Sequence, residues 1–248
     1  MIKNQSLLSL ACGDSYGSHY ESYGLMGVRF DLSELPDIPV KKQITDDTKM
    51  AIILLNHYKK HQTLKTDFLL RNYKHWAKTE GHQDGIGLHT YNVLIKNQKN
   101  KDSQGNGALM RVIPFGIELI NEGYTFDEAV EMMNVDSALT HENETIFMSN
   151  RVCLDIALNG LSVLDKKEYK KLLSKLKFGN TAWVIYSLYI VIEALKQNLS
   201  FIDGFKYIVS AGGDTDTNCA IFGAIKGHQN NIEDELDIKK FLPPSYTF

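Results

Sequence analysis

Two short acidic runs carry the densest oxygen chemistry in the chain: Thr45-Asp46-Asp47-Thr48 and, after Gly212-Gly213, Asp214-Thr215-Asp216-Thr217. Both stand where the pattern opens a helix. There the free backbone N–H groups and the positive end of the helix dipole favour negative charge. Helix capping therefore explains either run alone, since Asp and Thr are preferred caps. Capping needs one acceptor per helix, however, and each run holds two close carboxylates that repel unless something cationic sits between them. A hard divalent cation meets that need. Magnesium takes oxygen ligands from carboxylates, hydroxyls and water, and four aspartates balance two such ions in charge. Two metals roughly 4 Å apart are the chemistry this pattern points to.

Other acidic motifs fail on position. A calcium loop starting at Asp214 would need glycine sixth and glutamate twelfth, where Cys219 and Ile225 stand. A DDxxD motif would need an acid at Met50, and a DxDxT motif a threonine at Asn218. His141-Glu142-Asn143-Glu144-Thr145 lacks the second histidine of a zinc HExxH helix, and no cysteines are paired at zinc spacing.

Two further segments are candidates. Gly13-Asp14-Ser15-Tyr16-Gly17, with Glu21 four residues on, reads either as a helix end with Gly17 as its C-cap or as part of a polar site. Gly105-Asn106-Gly107-Ala108-Leu109-Met110-Arg111 has glycines that permit close backbone approach to a ligand and equally suit a loop entering a helix. Arg111 suits either a helix ion pair or a phosphate. Asp102 reads as a solvated loop acid or as a group facing a guanidinium, the former being the ordinary fate of a charged residue.

The elements that must position these groups are helical. Apolar residues recur at helical spacing through Leu7, Leu10 and Ala11, through Met50, Ile53 and Leu54, and through Phe115, Leu119 and Ile120. Thr45, Thr125 or Asp127, and Ser200 are placed to start helices. Ala220, Gly223, Ala224 and Gly227 share one helix face, whose small residues admit another backbone closely and make that helix central. The stretch from Tyr23 to Lys42, with two glycines and two prolines, reads as a long connecting loop. Trp183, Tyr186 and Tyr189 lie in an apolar helical run from Ala182 to Leu195 and read as core before adenine platform. That run falls short of the roughly 20 residues that span a bilayer.

Composition adds exclusions. The 248 residues are 43% hydrophobic and 23% charged, enough for a sizeable core. Lys+Arg 27 against Asp+Glu 30 leaves no basic field to recruit nucleic acid. Three dispersed cysteines, Cys12, Cys153 and Cys219, fit reduced thiols and a cytoplasmic protein. No repeat or linker divides the chain, so the expectation is a single all-α domain over 1–248 that starts at Met1, with no membrane partner.

Taken together, GDSYGSHYE (13–21), TDDTKMA (45–51), GNGALMRVIPFG (105–116), TH (140–141) and AGGDTDTNCAIFGAIKG (211–227) resemble the ADP-ribosylglycohydrolase family in order and spacing. The resemblance spans the chain almost end to end, and TDDT with GGDTDT is its specific part. It implies an orthogonal helix bundle with a central binuclear cleft holding two Mg²⁺ or Mn²⁺ ions beside an ADP-ribose pocket. Carried over by motif, Thr45, Asp46, Asp47, Asp214, Asp216 and Thr217 are metal ligands. Gly105, Asn106, Gly107, Met110 and His141 contact substrate, and Glu21, Asp47 and Asp214 are catalytic. The implied partner is an ADP-ribosylated protein or an ADP-ribose derivative, and the expected state a monomer. The implied activity is release of ADP-ribose from protein side chains, arginine-linked first. Serine-linked or O-acetyl-ADP-ribose substrates and an inactive ADP-ribose-binding relative are the alternatives.

Overall fold

The computed structural model describes residues 4–176 and 182–246; residues 1–3, where the sequence reading starts the chain, lie outside them. The described residues form an all-α fold. In chain order the helices are α1 (Gln5–Gly17), α2 (Glu21–Leu25), α3 (Asp46–His61), α4 (Thr66–Thr79), α5 (Leu88–Leu94), α6 (Leu109–Asn121) and α7 (Phe126–Ala138). There follow α8 (Glu144–Asn159), α9 (Lys167–Leu173), α10 (Val184–Lys196), α11 (Phe201–Ala211), α12 (Thr215–Gln229) and α13 (Ile238–Phe241). Extended pairing among the described residues is confined to one isolated bridge between Gly105 and Trp183. No helix among them is long and apolar enough to cross a membrane.

As the small-residue face predicts, α12 is the central helix. It is buried almost along its length and packs against α1, α6, α8, α10 and α11. Its closest partner is α1, which runs antiparallel to it with backbones in near contact. A Cβ on Gly223 would lie 2.2 Å from the Ser9 carbonyl oxygen, and one on Gly17 2.3 Å from that of Thr215. Side chains larger than hydrogen would force the helices apart. The C-terminal end of α1 is thereby pressed against the N-terminal end of α12, which brings Asp14 beside Asp216. One hydrophobic cluster runs from Leu7 to Leu242 around this pair. Cys12, Cys153 and Cys219 are buried in it as free thiols.

Three local expectations change. Gly17 is the last helical residue of α1, not its C-cap; the cap is Ser18, and Gly17 serves close approach to α12. The predicted loop from Tyr23 to Lys42 begins as helix, because α2 continues to Leu25; Gly24 is there to let Gly213 approach. A 3₁₀ turn, Leu32–Glu34, also interrupts it. Trp183 is the residue before α10, not part of that helix, and its backbone forms the bridge to Gly105. The starts at Thr125 and Ser200 hold: Thr125 makes a full capping box with Glu128, and Ser200 caps Asp203 N–H.

Candidate active site

The N-terminal ends of α3 and α12 meet at the C-terminal end of α1, and their acidic runs face one another. Neither run caps its own helix through the first residue: Thr45 and Asp214 occupy the N-cap positions without a side-chain cap hydrogen bond. The capping of α3 comes instead from α1. Asp14 Oδ2 accepts the backbone N–H of Thr45 at 2.9 Å and of Thr48 at 3.2 Å. The Thr48 and Thr45 hydroxyls also donate to the Asp14 carboxylate. With α3 capped from α1, Asp47 of α3 and Asp214 and Asp216 at the start of α12 converge on a shared centre.

Carboxylate oxygens of Asp14, Asp47 and Asp216 lie within 4.8 Å of one another, and so do those of Glu21, Asp214 and Asp216. Asp216 belongs to both groups. The five carboxylates include four of the predicted site residues and one, Asp14, outside the predicted ligand set. Its signal was the polar position inside an otherwise small or apolar helix end. Asp46 and Thr217 also border the cleft, but Asp46 stands outside both groups, its carboxylate taking an N–H from Gly87. Thr45 lies behind the cleft wall, its hydroxyl 2.8 Å from Asp14 Oδ1 and 3.1 Å from Asp47 Oδ2.

Electrostatically this cluster is uncompensated. Burial, then the charge of Asp14 and other neighbouring carboxylates, holds Asp46 and Asp47 well above the usual carboxylate range. Asp216 is raised by burial, then by Glu21, Asp214 and Asp47. Burial pushes Glu21 up to about 7, with Asp214 and Asp14 adding to it. Burial likewise raises Asp14 to about 6 against the lowering effect of its threonine hydrogen bonds. Asp47 Oδ1 is buried with no hydrogen-bond partner. Converging carboxylates, an orphaned oxygen and adjacent hydroxyls fit a hard divalent cation.

The cleft beside them has a volume of about 440 Å³. All five predicted substrate residues, Gly105, Asn106, Gly107, Met110 and His141, line it. The glycine loop is pinned by two backbone hydrogen bonds, Asn106 N–H to Ala182 O at 3.1 Å and Val184 N–H to Gln104 O at 2.8 Å. The Asn106 amide donates to Asp214 Oδ2 at 2.9 Å and to Ser187 Oγ at 3.0 Å, so this loop also holds an acid of the site.

The sequence reading missed a further wall, Gly85 to Thr90, every residue of which lines the cleft beside the glycine loop. Its signal is a second Gly-x-Gly, Gly85-Ile86-Gly87, just ahead of a helix, the arrangement of residues 105–107. Asp102 is exposed and does not line the cleft. Arg111 is fully buried in an ion pair with Asp136, 2.9 Å from Nε to Oδ2, and is no phosphate ligand. Tyr186 is core, as expected.

An all-α bundle with a cleft walled by carboxylates, hydroxyls and a pinned glycine loop is the architecture the motifs implied. The family model for ADP-ribosylglycohydrolase matches residues 4–233, and the chain belongs to that family, hydrolases of ADP-ribose linkages. A protein of Acanthamoeba polyphaga mimivirus, whose own name places it among the ADP-ribosyl glycohydrolases, is 24% identical over 281 residues, covering 90% of this chain and 84% of that one. The fold is shared with a solved structure described as an ADP-ribosylglycohydrolase-related protein complex, with a TM-score of 0.71, 17% identity, and coverage of 98% of this chain and 94% of the other.

Proposed function

We propose that this protein is a divalent-metal-dependent hydrolase that releases ADP-ribose from ADP-ribosylated protein side chains, the arginine N-glycosidic linkage first among them. The observation that carries the reading is the double carboxylate cluster joined through Asp216, with the orphaned Asp47 Oδ1 at its heart, opening onto the glycine-loop cleft. Asp47, Asp214 and Asp216, with Thr45, Asp46 and Thr217 at the margin, would hold two Mg²⁺ or Mn²⁺ ions, leaving Glu21 free beside them. Such ions supply Lewis acidity and acidify a bound water.

The chain's own groups account for the rest. The loop from Gly105 to Gly107 lines the cleft and would take the pyrophosphate along its backbone, His141 and Thr90 filling the space beside the two glycines. Met110 supplies an apolar contact. Asn106 fixes the Asp214 carboxylate by its amide. As the glycosidic bond at the ribose breaks, positive charge develops at the anomeric carbon, and Asp47 and Asp214 stabilise it. Glu21, raised to about 7 and half-buried at the cleft, is suited to take a proton from water near neutral pH. The reading treats residues 1–248 as one catalytic unit, a cytoplasmic monomer acting on an ADP-ribosylated protein and independent of nucleic acid and membrane.

The test is product release from two matched substrates, an arginine-ADP-ribosylated protein and a serine-ADP-ribosylated peptide, with magnesium or with chelator. Metal-dependent ADP-ribose from the arginine substrate supports the reading. Release from the serine substrate alone moves the linkage, and release from neither overturns the protein hydrolase in favour of an O-acetyl ester substrate or a binding-only protein.

A further inference from the structure

Behind the glycine loop lies a hydrogen-bond network that fixes which nitrogens of two cleft-lining histidines carry hydrogen. Arg111 is its source, because a guanidinium only donates. Its Nε donates to Asp136 Oδ2, one terminal nitrogen to the Gly107 carbonyl, and Nη2 to Thr140 Oγ1 at 3.0 Å. The Asp136 carboxylate is closed on its other side by Tyr73 O–H at 2.8 Å. Every side chain in this network, Arg111, Asp136, Thr140 and Tyr73, is fully buried.

Thr140 Oγ1 also lies 2.9 Å from His141 Nδ1. Its oxygen accepts from Arg111, and its one proton has the His141 ring nitrogen as its acceptor among the described residues. Nδ1 of His141 is thus the unprotonated nitrogen, and Nε2 carries the hydrogen. Burial, reinforced by the positive charge of Arg111, holds this ring well below the usual histidine range and so neutral. The ring packs against the glycine loop: a Cβ on Gly105 would be 3.4 Å from Nε2 and one on Gly107 3.1 Å from the ring carbon between the nitrogens. The donor Nε2–H therefore sits at the loop that lines the cleft.

His89, on the missed wall, takes the opposite part. Its Nε2 is 3.0 Å from the Thr140 carbonyl oxygen, which can only accept, so Nε2 carries hydrogen there. A ring with one proton then keeps Nδ1 as an acceptor. The two rings stand 4.6 Å apart between centroids, tilted by 58°, and both residues line the cleft.

We propose that His89 and His141 form a two-histidine subsite that presents one hydrogen-bond acceptor and one donor to the hydroxyls of a ribose, with the buried Arg111–Asp136 pair and Thr140 as the positioning groups behind it. The chemistry selects among parts of the ligand. A ribose hydroxyl both donates and accepts and can satisfy both rings, whereas a phosphate at neutral pH only accepts and satisfies His141 alone. This inference rests on the reading that the cleft takes ADP-ribose, and it assigns His89 a contact that no sequence motif marks.

The experiment uses the full-length protein with magnesium. Long-range nitrogen–proton correlation spectra of the imidazole rings report their tautomers. Both rings protonated on Nε2, with the His89 Nδ1 signal moving when ADP-ribose is added, is the expected result. Titration calorimetry then compares ADP-ribose with inorganic pyrophosphate. His89→Phe is expected to weaken ADP-ribose by about tenfold, the loss of one good hydrogen bond, and to leave pyrophosphate unchanged. Thr140→Val is expected to release the His141 tautomer and Thr140→Ser to restore it, in proteins whose melting confirms folding. Nδ1 protonation of either ring, an unchanged ADP-ribose affinity in His89→Phe, or an equal loss for pyrophosphate overturns the proposal. ADP-ribose that binds the wild type as expected without any substrate being hydrolysed leaves the subsite intact and overturns the hydrolase reading alone.

Discussion

Two buried polar clusters flank the same cleft and are built on opposite terms. Behind the glycine loop, Arg111 and Asp136 form a fully buried ion pair whose hydrogen bonds are taken up by Tyr73, Thr140 and the Gly107 carbonyl. Across the cleft, Asp14, Asp47, Asp214, Asp216 and Glu21 converge with no positive partner among their leading electrostatic neighbours, and Asp47 keeps an orphaned oxygen. The first cluster is complete within the chain. The second is complete only with something the chain does not supply. A satisfied buried network rigidifies a wall, whereas a half-satisfied one of like charges is a cost retained for function.

The largest consequence concerns the complete cluster. Asp136→Asn keeps the shape but leaves Arg111 charged, buried and unpaired, which costs about 3–5 kcal/mol of folding stability. Urea unfolding is expected to show this loss equally with magnesium and with chelator. A loss that magnesium erases would mean the two walls are not energetically separate.

Asp216→Asn is the mirror case, with opposite sign. Asparagine keeps the oxygen that accepts the Thr217 N–H and removes the charge shared by both carboxylate groups. In chelator the variant is expected to be more stable than the wild type by on the order of 1 kcal/mol, since one pKa unit of relieved repulsion is worth about 1.4 kcal/mol. Its magnesium-induced rise in melting temperature and its hydrolase activity are expected to be lost together. Destabilisation in chelator would show that Asp216 is held by favourable contacts and that the cluster is not waiting for a cation.

How much of this contrast was legible in the sequence follows from the range of the signals. TDDT and GGDTDT announced the incomplete cluster because three of its carboxylates, Asp47, Asp214 and Asp216, sit in two local runs at helix starts. The central place of α12 was legible in Ala220, Gly223, Ala224 and Gly227, since small residues at helical spacing have few other uses. Asp14 was visible as a polar residue, but its partners Thr45 and Thr48 lie some thirty positions on, and only the antiparallel packing of α1 on α12 sets it at the centre. Arg111 stayed ambiguous for the same reason: its anion, Asp136, comes from a different helix. The wall from Gly85 to Thr90 carries one weak local signal, a glycine pair, and its function arises from what it faces. Gly17 misled because a glycine at a helix end is ordinarily a C-cap, whereas here tertiary approach to α12 decided the residue.

The pH dependence of metal stabilisation sharpens the comparison further. Glu21 is raised to about 7 and Asp14 to about 6, and Asp46, Asp47 and Asp216 lie well above their ordinary values. Without metal, the folded cluster holds protons that the unfolded chain releases near pH 4. Its contribution to stability is full below that point and is lost as pH rises through about 6 to 7. A cation requires the deprotonated carboxylates, so its stabilising effect runs the other way. The magnesium-induced shift in melting temperature is expected to be small at pH 5 and to grow to roughly 5–10 °C at pH 8 when the ion is at about 100 times its Kd. Taking the difference between magnesium and chelator at each pH cancels the histidines, whose protonation affects both conditions alike. A shift that is flat across this range would remove the carboxylate cluster as the binding site.

A last substitution tests the complete cluster without disturbing its charges. Tyr73→Phe removes the hydroxyl that donates to Asp136 Oδ1 and that also stands beside the Arg111 guanidinium. Asp136 keeps Arg111 as its partner, so the loss is that of a single hydrogen bond to a charged group, about 1.5–3 kcal/mol, toward the lower end because the ion pair persists. The loss is expected to be the same at pH 5 and pH 8 and with or without magnesium, measured by urea unfolding. Because Tyr73 reaches His141 only through Asp136, Arg111 and Thr140, the variant should leave ADP-ribose affinity within twofold of the wild type. A larger drop in affinity than in stability would show that the two walls communicate through this carboxylate, and that the paired cluster is part of the ligand's binding surface as well as its support.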